Sequence, residues 1–183
     1  MSGPLPAGPV RSPSLVRSAR PEELDQLLAI ERASDELFAT VGFHLTPGPA
    51  TLAALGQARQ LLVVGDPPVG FARIEEVDGL AHLEQLSVHP DRARQGLGRT
   101  LLEAACAWAA EASYRAITLS TFAEVPWNAP FYASAGFAPL VPLTPGLVAL
   151  RRQEQGNGLD ELGPRVVMVR RLPATAGRGG STS

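Results

Sequence analysis

The stretch His82–Gly98, HLEQLSVHPDRARQGLG, constrains this chain more than any other segment. An apolar strand pattern runs through a proline-marked turn into a glycine-rich loop, and LGRTLLEAACAWAA then continues at helical spacing. The first turn of a helix leaves N–H groups unpaired at the positive end of the dipole. The loop Arg94-Gln95-Gly96-Leu97-Gly98 can therefore wrap an anionic oxygen in backbone donors. Gly96 and Gly98 tolerate positive φ and add no bulk toward a ligand. Arg92, Arg94 and Arg99 can supply charge around a diphosphate. Two better-known phosphate loops do not fit. The nucleotide P-loop requires a lysine, and the chain contains none; the dinucleotide fingerprint requires a third glycine where Leu101 stands. The segment reads as a pyrophosphate cradle of a different kind.

A second element, Trp127-Asn128-Ala129-Pro130-Phe131-Tyr132-Ala133-Ser134-Ala135-Gly136-Phe137, is locally self-consistent. Asn128 suits the cap of a short helix, Pro130 suits its first turn, and Gly136 suits a left-handed close before Phe137 starts a strand. Taken alone, Tyr132 reads as a core aromatic with its hydroxyl near the surface.

Together these two elements resemble the GNAT superfamily of acetyl-CoA-dependent N-acetyltransferases. The first is similar to the family's [QR]-x-x-G-x-[GA] loop after a central strand, with Ala93 where Gln or Arg is usual and Arg94 one residue late. The second is similar to its N-x-x-F-Y-x-x-x-G-F element. The resemblance extends over about Ser14 to Leu172. It implies an α/β fold with a mixed, mostly antiparallel sheet, two parallel strands that splay apart, and flanking helices. It also implies that the backbone of Leu86, Ser87 and Val88 pairs with pantetheine as a strand would. The diphosphate would lie on Arg94, Gln95, Gly96, Leu97, Gly98, Arg99 and Thr100, and Asn128 would add a hydrogen bond to the cofactor.

Length and composition agree with one enzyme domain over residues 14–172. A chain of 183 residues with 45% hydrophobic residues is long enough and apolar enough for one core. The formal net charge of −2, with arginines scattered along the chain, gives no basic field for nucleic acid. A single cysteine, Cys106, allows no internal disulfide, and it reads as a packing residue within its helix. Three dispersed histidines give no metal-ligand spacing, so no metal is expected. The absence of a signal peptide or long apolar run predicts a cytoplasmic protein with no membrane partner. The sequence leaves a homodimer open.

Residues 1–13 and 173–183 are rich in Gly, Pro and Ser and read as disordered ends. Between them the pattern predicts a strand at 14–18, a helix opening at Pro21, and a second helix over 51–60. A meander follows over 61–64, 69–77 and 80–88, turning at Gly65-Asp66-Pro67-Pro68 and at Asp78-Gly79. The helix over 97–112 places Leu97, Leu101, Ala105, Trp108 and Ala109 on one face. The strand over 115–122 reads as a parallel partner of 80–88. Strands over 137–142 and 165–172 flank a helical insert at 146–162.

Acyl transfer to an amine sets the remaining demands. An alkylamine of pKa about 10.4 is protonated near neutrality, so freeing its lone pair costs about 4 to 5 kcal/mol. His82 and Glu84 alternate on one strand and share a face, so Glu84, His82 or a water can serve as base. Each also has a plain structural reading, His82 as a satisfied core residue and Glu84 as a partner of Arg73. The resemblance makes Tyr132 the group that hydrogen-bonds or protonates the departing thiolate, and a backbone N–H near Val88 the donor to the thioester carbonyl. Glu31, Asp35, Glu75, Glu76 and Glu84 form a candidate acidic rim for a cationic amine, with Trp127 and Phe43 as an apolar wall. The acceptor is then an amine of a small molecule or a peptide, acetylated directly in a ternary complex. The alternative is a non-catalytic acyl-CoA sensor or interaction protein. A hydrolase has no G-x-S-x-G element to support it.

Overall fold

The computed structural model describes residues 16–39 and 52–173. Seven strands make one sheet in the order β1-β2-β3-β4-β5-β7-β6. They are β1 (Val16–Ser18), β2 (Gln60–Val64), β3 (Gly70–Val77), β4 (Leu80–Val88), β5 (Ala116–Phe122), β6 (Ala138–Pro139) and β7 (Arg165–Arg171). The helices are α1 (Leu24–Ala39), α2 (Leu52–Gly56), α3 (Leu97–Glu111), α4 (Ala129–Ala133), α5 (Pro145–Gly156) and α6 (Leu159–Leu162).

Every described neighbouring pair in the sheet is antiparallel except β4 and β5. A parallel pair needs a crossover connection, and α3 supplies it. The tight β3–β4 hairpin uses Asp78 and Gly79 with φ of 51° and 71°, the primed geometry that matches strand twist. Here an Asx-Gly pair sits where positive φ is demanded.

Alternation within the strands sends apolar side chains to both faces. On one face Leu62, Val64, Ala72, Ile74, Ala81, Leu83, Ile117 and Leu119 pack against Leu101, Leu102, Ala105, Cys106 and Ala109 of α3. On the other, Leu61, Val63 and Phe71 meet Leu27 and Ile30 of α1 and Leu55 of α2. Each such Leu or Phe contributes about 1.5 to 3 kcal/mol by leaving water. The helical face expected for α3 is present, with Leu97 and Trp108 only partly buried and Leu102 and Cys106 added to it.

Two boundaries differ from the pattern. The strand expected over 137–142 is reduced to Ala138–Pro139, because Pro139 and Pro142 have no N–H to give a ladder. The helix expected over 51–60 spans Leu52–Gly56. The strand expected from residue 14 begins at Val16 within the described residues. The terminal segments expected to be disordered fall almost wholly outside them.

The insert forms α5 and α6. Asp78, at the tip of the β3–β4 hairpin, accepts the Gly146 N–H at 2.7 Å and so caps the start of α5. A Cβ on residue 146 would stand 2.6 Å from that carboxylate, so a larger residue would push the Asp78 side chain off this N–H. No helix among the described residues is long and apolar enough to cross a membrane.

Candidate active site

β4 and β5 pair over only three rungs, Ala81↔Ile117, His82↔Thr118 and Leu83↔Leu119, and then diverge. The divergence coincides with an irregularity in β4. Ile74 faces Leu83 and Arg73 faces Gln85, so Glu84 has no partner residue on β3 and forms a bulge. The bulge resets the alternation. It keeps both Leu83 and Leu86 toward the α3 side while Glu84, Gln85 and Ser87 line the opposite side.

That opposite side is a cleft of about 780 Å³. Its walls are Glu31, Ser34 and Asp35 of α1, Arg73 and Glu75 of β3, residues 84–87 of β4, residues 120–122 of β5, Asn128 and Tyr132 beside α4, and the inner face of α5.

Main-chain geometry in the cleft follows from the ladder. His89 N–H donates to Val69 O at 2.8 Å, which marks the bonded positions of the β3–β4 pair. Bonded and non-bonded positions alternate, so Ser87 spends its N–H and C=O on Phe71, and Leu86 and Val88 turn theirs toward the side that β5 has vacated. This corrects the expectation that all three residues offer backbone groups to a ligand. Ser87 instead presents a buried hydroxyl that accepts from Gln85 Nε2 at 2.8 Å.

Beyond β4 a short 3-10 turn over Pro90–Arg92 leads into the glycine loop. Arg94 has φ 61° and Gly96 has φ 78°, the latter as the N-cap of α3. Thr100 N–H makes the first helical bond, to Gly96 O at 3.0 Å, and the Thr100 hydroxyl turns back to the same carbonyl at 3.2 Å. No hydrogen bond ties the N–H groups from Arg94 to Arg99 to an acceptor among the described residues. Six successive donors are therefore available to an anion. Arg94 and Gln95 are exposed beside them. Arg99 points elsewhere, over the Phe131 ring at 5.0 Å and onto the Ser134 hydroxyl.

The titratable groups divide sharply. His82 is buried, with Nδ1 2.9 Å from the Thr118 hydroxyl and Nε2 3.6 Å from Glu84 Oε2. Burial drives its pKa down to about 4, so the imidazole is neutral near pH 7 and holds a proton less readily than an ordinary histidine. Glu84 is pushed above the usual carboxylate range, chiefly by desolvation, with Arg73 opposing. Glu31 rises to about 7 and Asp35 to about 6, both by burial first. Tyr132 is raised beyond the ordinary tyrosine range by burial, and its hydroxyl has no hydrogen-bond partner among the described residues.

Of the expected acidic rim, Glu31, Asp35, Glu75 and Glu84 share the cleft. Glu76 does not, because it points to the far face and bonds the Tyr114 hydroxyl. Arg73 pairs with Glu75 at 2.7 Å rather than with Glu84. Asn128 occupies the N-cap position of α4, but its side chain makes no capping bond, which frees it toward the cleft. Phe43 lies outside the described residues.

A family model described as "Acetyltransferase (GNAT) family" matches residues 25–137. The chain belongs to the GNAT acetyltransferases. Solved structures of similar fold include the ribosomal-protein-S18-alanine N-acetyltransferase of Escherichia coli, at TM-score 0.65 and 21% identity over 91% of this chain and 97% of that one. The PaiA N-acetyltransferase of Thermoplasma acidophilum, in complex with coenzyme A, aligns at TM-score 0.60 and 15% identity over 87% and 99%. The N-acetylglutamate synthase of Neisseria gonorrhoeae, complexed with coenzyme A and N-acetyl-glutamate, aligns at 0.66 and 16% over 89% of this chain and 36% of that one. As a GNAT protein the chain is an acyltransferase, and its mixed sheet with one parallel pair is the fold of that family.

One part of this GNAT site had no signal in the local sequence. Glu154 of α5 accepts from Ser120 Oγ at 2.8 Å and from Arg165 at 2.6 Å, with Arg151 joining it. Arg165 stacks on Phe122 at 4.6 Å, and its Nε is buried without a hydrogen-bond partner among the described residues. The insert is thereby fastened across the ends of β5 and β7. The sequence predicts a helical insert over 146–162, but only tertiary packing brings Glu154 and Arg165 together.

Proposed function

We propose that this GNAT protein transfers an acetyl group from acetyl-CoA directly to an amine of a small molecule or peptide, with both ligands bound together. The observation that carries the reading is the run of six N–H groups, Arg94 to Arg99, without acceptors among the described residues, in the loop that follows the strand lining the cleft. Successive N–H groups in a loop that runs into a helix start suit a diphosphate, and the glycine cradle leaves the space for one. Arg94, Gln95 and Thr100 flank that seat. Leu86 and Val88 offer the strand-like amides that a pantetheine arm would pair with, and Asn128 offers a side-chain amide.

The thioester supplies an acyl group already activated for attack. Glu84 then accepts the proton of the incoming ammonium; its raised pKa brings it closer to operating pH than an ordinary carboxylate. Tyr132 stays protonated and donates a hydrogen bond to the leaving sulfur, which departs as the thiol with the second proton given up by the newly acylated nitrogen. The elevated pKa of Tyr132 favours holding its own proton over surrendering it completely. A carboxylate-lined cleft attracts a cationic acceptor, and neighbours named for a ribosomal-protein alanine and for N-acetylglutamate support an amine.

Calorimetry with acetyl-CoA, followed by thiol release over a panel of amines, tests the reading. Saturable binding and release with at least one amine are expected. Failure of the folded protein to bind acetyl-CoA overturns it. Tight binding with no release across the panel makes the chain an acyl-CoA-binding interaction protein instead.

A further inference from the structure

The middle rung of the β4–β5 pairing carries an unusual polar pair for a sheet interior. His82 and Thr118 face each other there, and both are buried. Buried polar atoms need partners, and here the partners fix protonation. The Thr118 hydroxyl lies 3.2 Å from Ala81 O, an acceptor that has no proton to give. A hydroxyl carries one proton. With that proton directed to Ala81 O, a lone pair faces His82 Nδ1 at 2.9 Å, and the tautomer that satisfies both contacts carries its proton on Nδ1 and leaves Nε2 bare. That bare nitrogen points at Glu84 Oε2, 3.6 Å away.

A bare nitrogen and an ionised carboxylate oxygen repel. Once Glu84 is protonated, its O–H donates to Nε2, and a small rotation of the half-exposed Glu84 side chain closes the distance. We propose that His82 is a positioning residue that holds the proton Glu84 takes from the substrate, and that Thr118 sets the tautomer that lets it do so. This rests on Glu84 being the base. In the step, the substrate N–H bond breaks with its electron pair left on nitrogen, an O–H bond forms on Glu84, and that O–H bonds to Nε2. No further group is consumed. Burial of the imidazole keeps the proton on Glu84 rather than passing it on.

Other charges also face Glu84: Arg73 and Glu75 from β3, Glu154 from α5, Arg165 from β7 and Glu31 from α1. They are common to the native protein and a Thr118 variant, so a comparison between the two isolates the hydroxyl.

The ¹⁵N spectra of the imidazoles and a ¹³C carboxyl titration of Glu84, recorded on the folded protein without substrate, test the proposal. Native His82 is expected as the neutral Nδ1–H tautomer throughout pH 6 to 8. In Thr118→Val the ring is released to the Nε2–H form, which donates to the carboxylate and lowers the Glu84 midpoint by about one unit, a tenfold change in its proton affinity. Thr118→Ser restores the native tautomer and midpoint. An Nε2–H tautomer in the native protein overturns the proposal even if Thr118→Val does not fold. So does a Glu84 midpoint unmoved by Thr118→Val. Glu84→Gln separates the two readings. Full thiol release by that variant removes Glu84 as base whatever the tautomer, whereas its loss beside an unmoved midpoint condemns only the role given to His82 and Thr118.

Discussion

The two faces of the sheet are built from the same strands and do opposite work. The face under α3 is continuous hydrocarbon, with Leu101, Leu102, Ile117 and Leu119 at most 1% exposed. The face under α1 and α5 has its apolar cluster toward the β2 end, around Leu27, Val63 and Phe71. Farther across, the same pleat presents Arg73, Glu75, Glu84, Gln85 and Ser120 to a cleft that Glu154 of α5 also lines. One face supplies stability through area removed from water. The other gives some of it up, since carboxylates held partly out of water oppose folding once ionised.

The largest expected effect lies on the closed face. Leu101→Ala removes a fully buried side chain and costs about 2 to 5 kcal/mol of stability by chemical denaturation. Acetyl-CoA affinity of the remaining folded protein should be unchanged, and a parallel loss of affinity would break the division between the faces. Tyr132→Phe is the converse. It keeps the ring against Phe137, at 5.9 Å, and deletes only the hydroxyl. Turnover should fall about 100-fold, near 2.7 kcal/mol, with melting temperature and acetyl-CoA affinity held. Undiminished turnover would strip the residue of its role.

Glu31 sharpens the comparison through pH. Its folded pKa of about 7 lies above the unfolded 4.5, so its burden on the fold is absent at pH 4, grows as pH rises, and is complete above pH 7. Glu31→Gln should therefore stabilise the protein by about 1 to 2 kcal/mol at pH 8 and do nothing at pH 4. A gain at both values would show that charge is not the cause.

The smallest effects belong to the loop. Gly96→Ala places a Cβ at φ 78° and should cost about 1 kcal/mol of stability. Gly98→Ala meets only ordinary contacts, with Phe131 and Val88 at 3.9 and 4.0 Å, so the fold should tolerate it. Weakened acetyl-CoA binding by Gly98→Ala at native stability is the outcome that ties this glycine to a ligand.

Local chemistry made much of the fold legible. The span of β4, the Asp78-Gly79 turn and the course of α3 depend on neighbours a few residues apart, and their patterns predicted them closely. The β-bulge at Glu84 did not announce itself, because register is settled by what β3 requires of its partner rather than by β4 alone. His82 and Glu84 do meet, as their spacing suggested. The burial that neutralises His82 comes from elements well away in sequence. The direction of the Ser87 amide is hidden for a related reason, since a strand pattern says which side chains share a face and not which amides the neighbouring strand consumes. Glu154 and Arg165 meet only when the insert folds across β5 and β7, a contact that helical periodicity does not encode.

The short union of β4 with β5 has a consequence for the whole molecule. Three rungs make a narrow seam between two panels of sheet, and past it the Leu86 and Val88 amides lie along an open wedge. An occupant that satisfies those amides acts as a splint between the panels, and at a hundredfold excess over its dissociation constant it adds about 2.7 kcal/mol of resistance to unfolding. Persistence of the protein in the cell would then track the supply of whatever fills the wedge, and scarcity of that ligand would appear as faster degradation as well as slower acetylation.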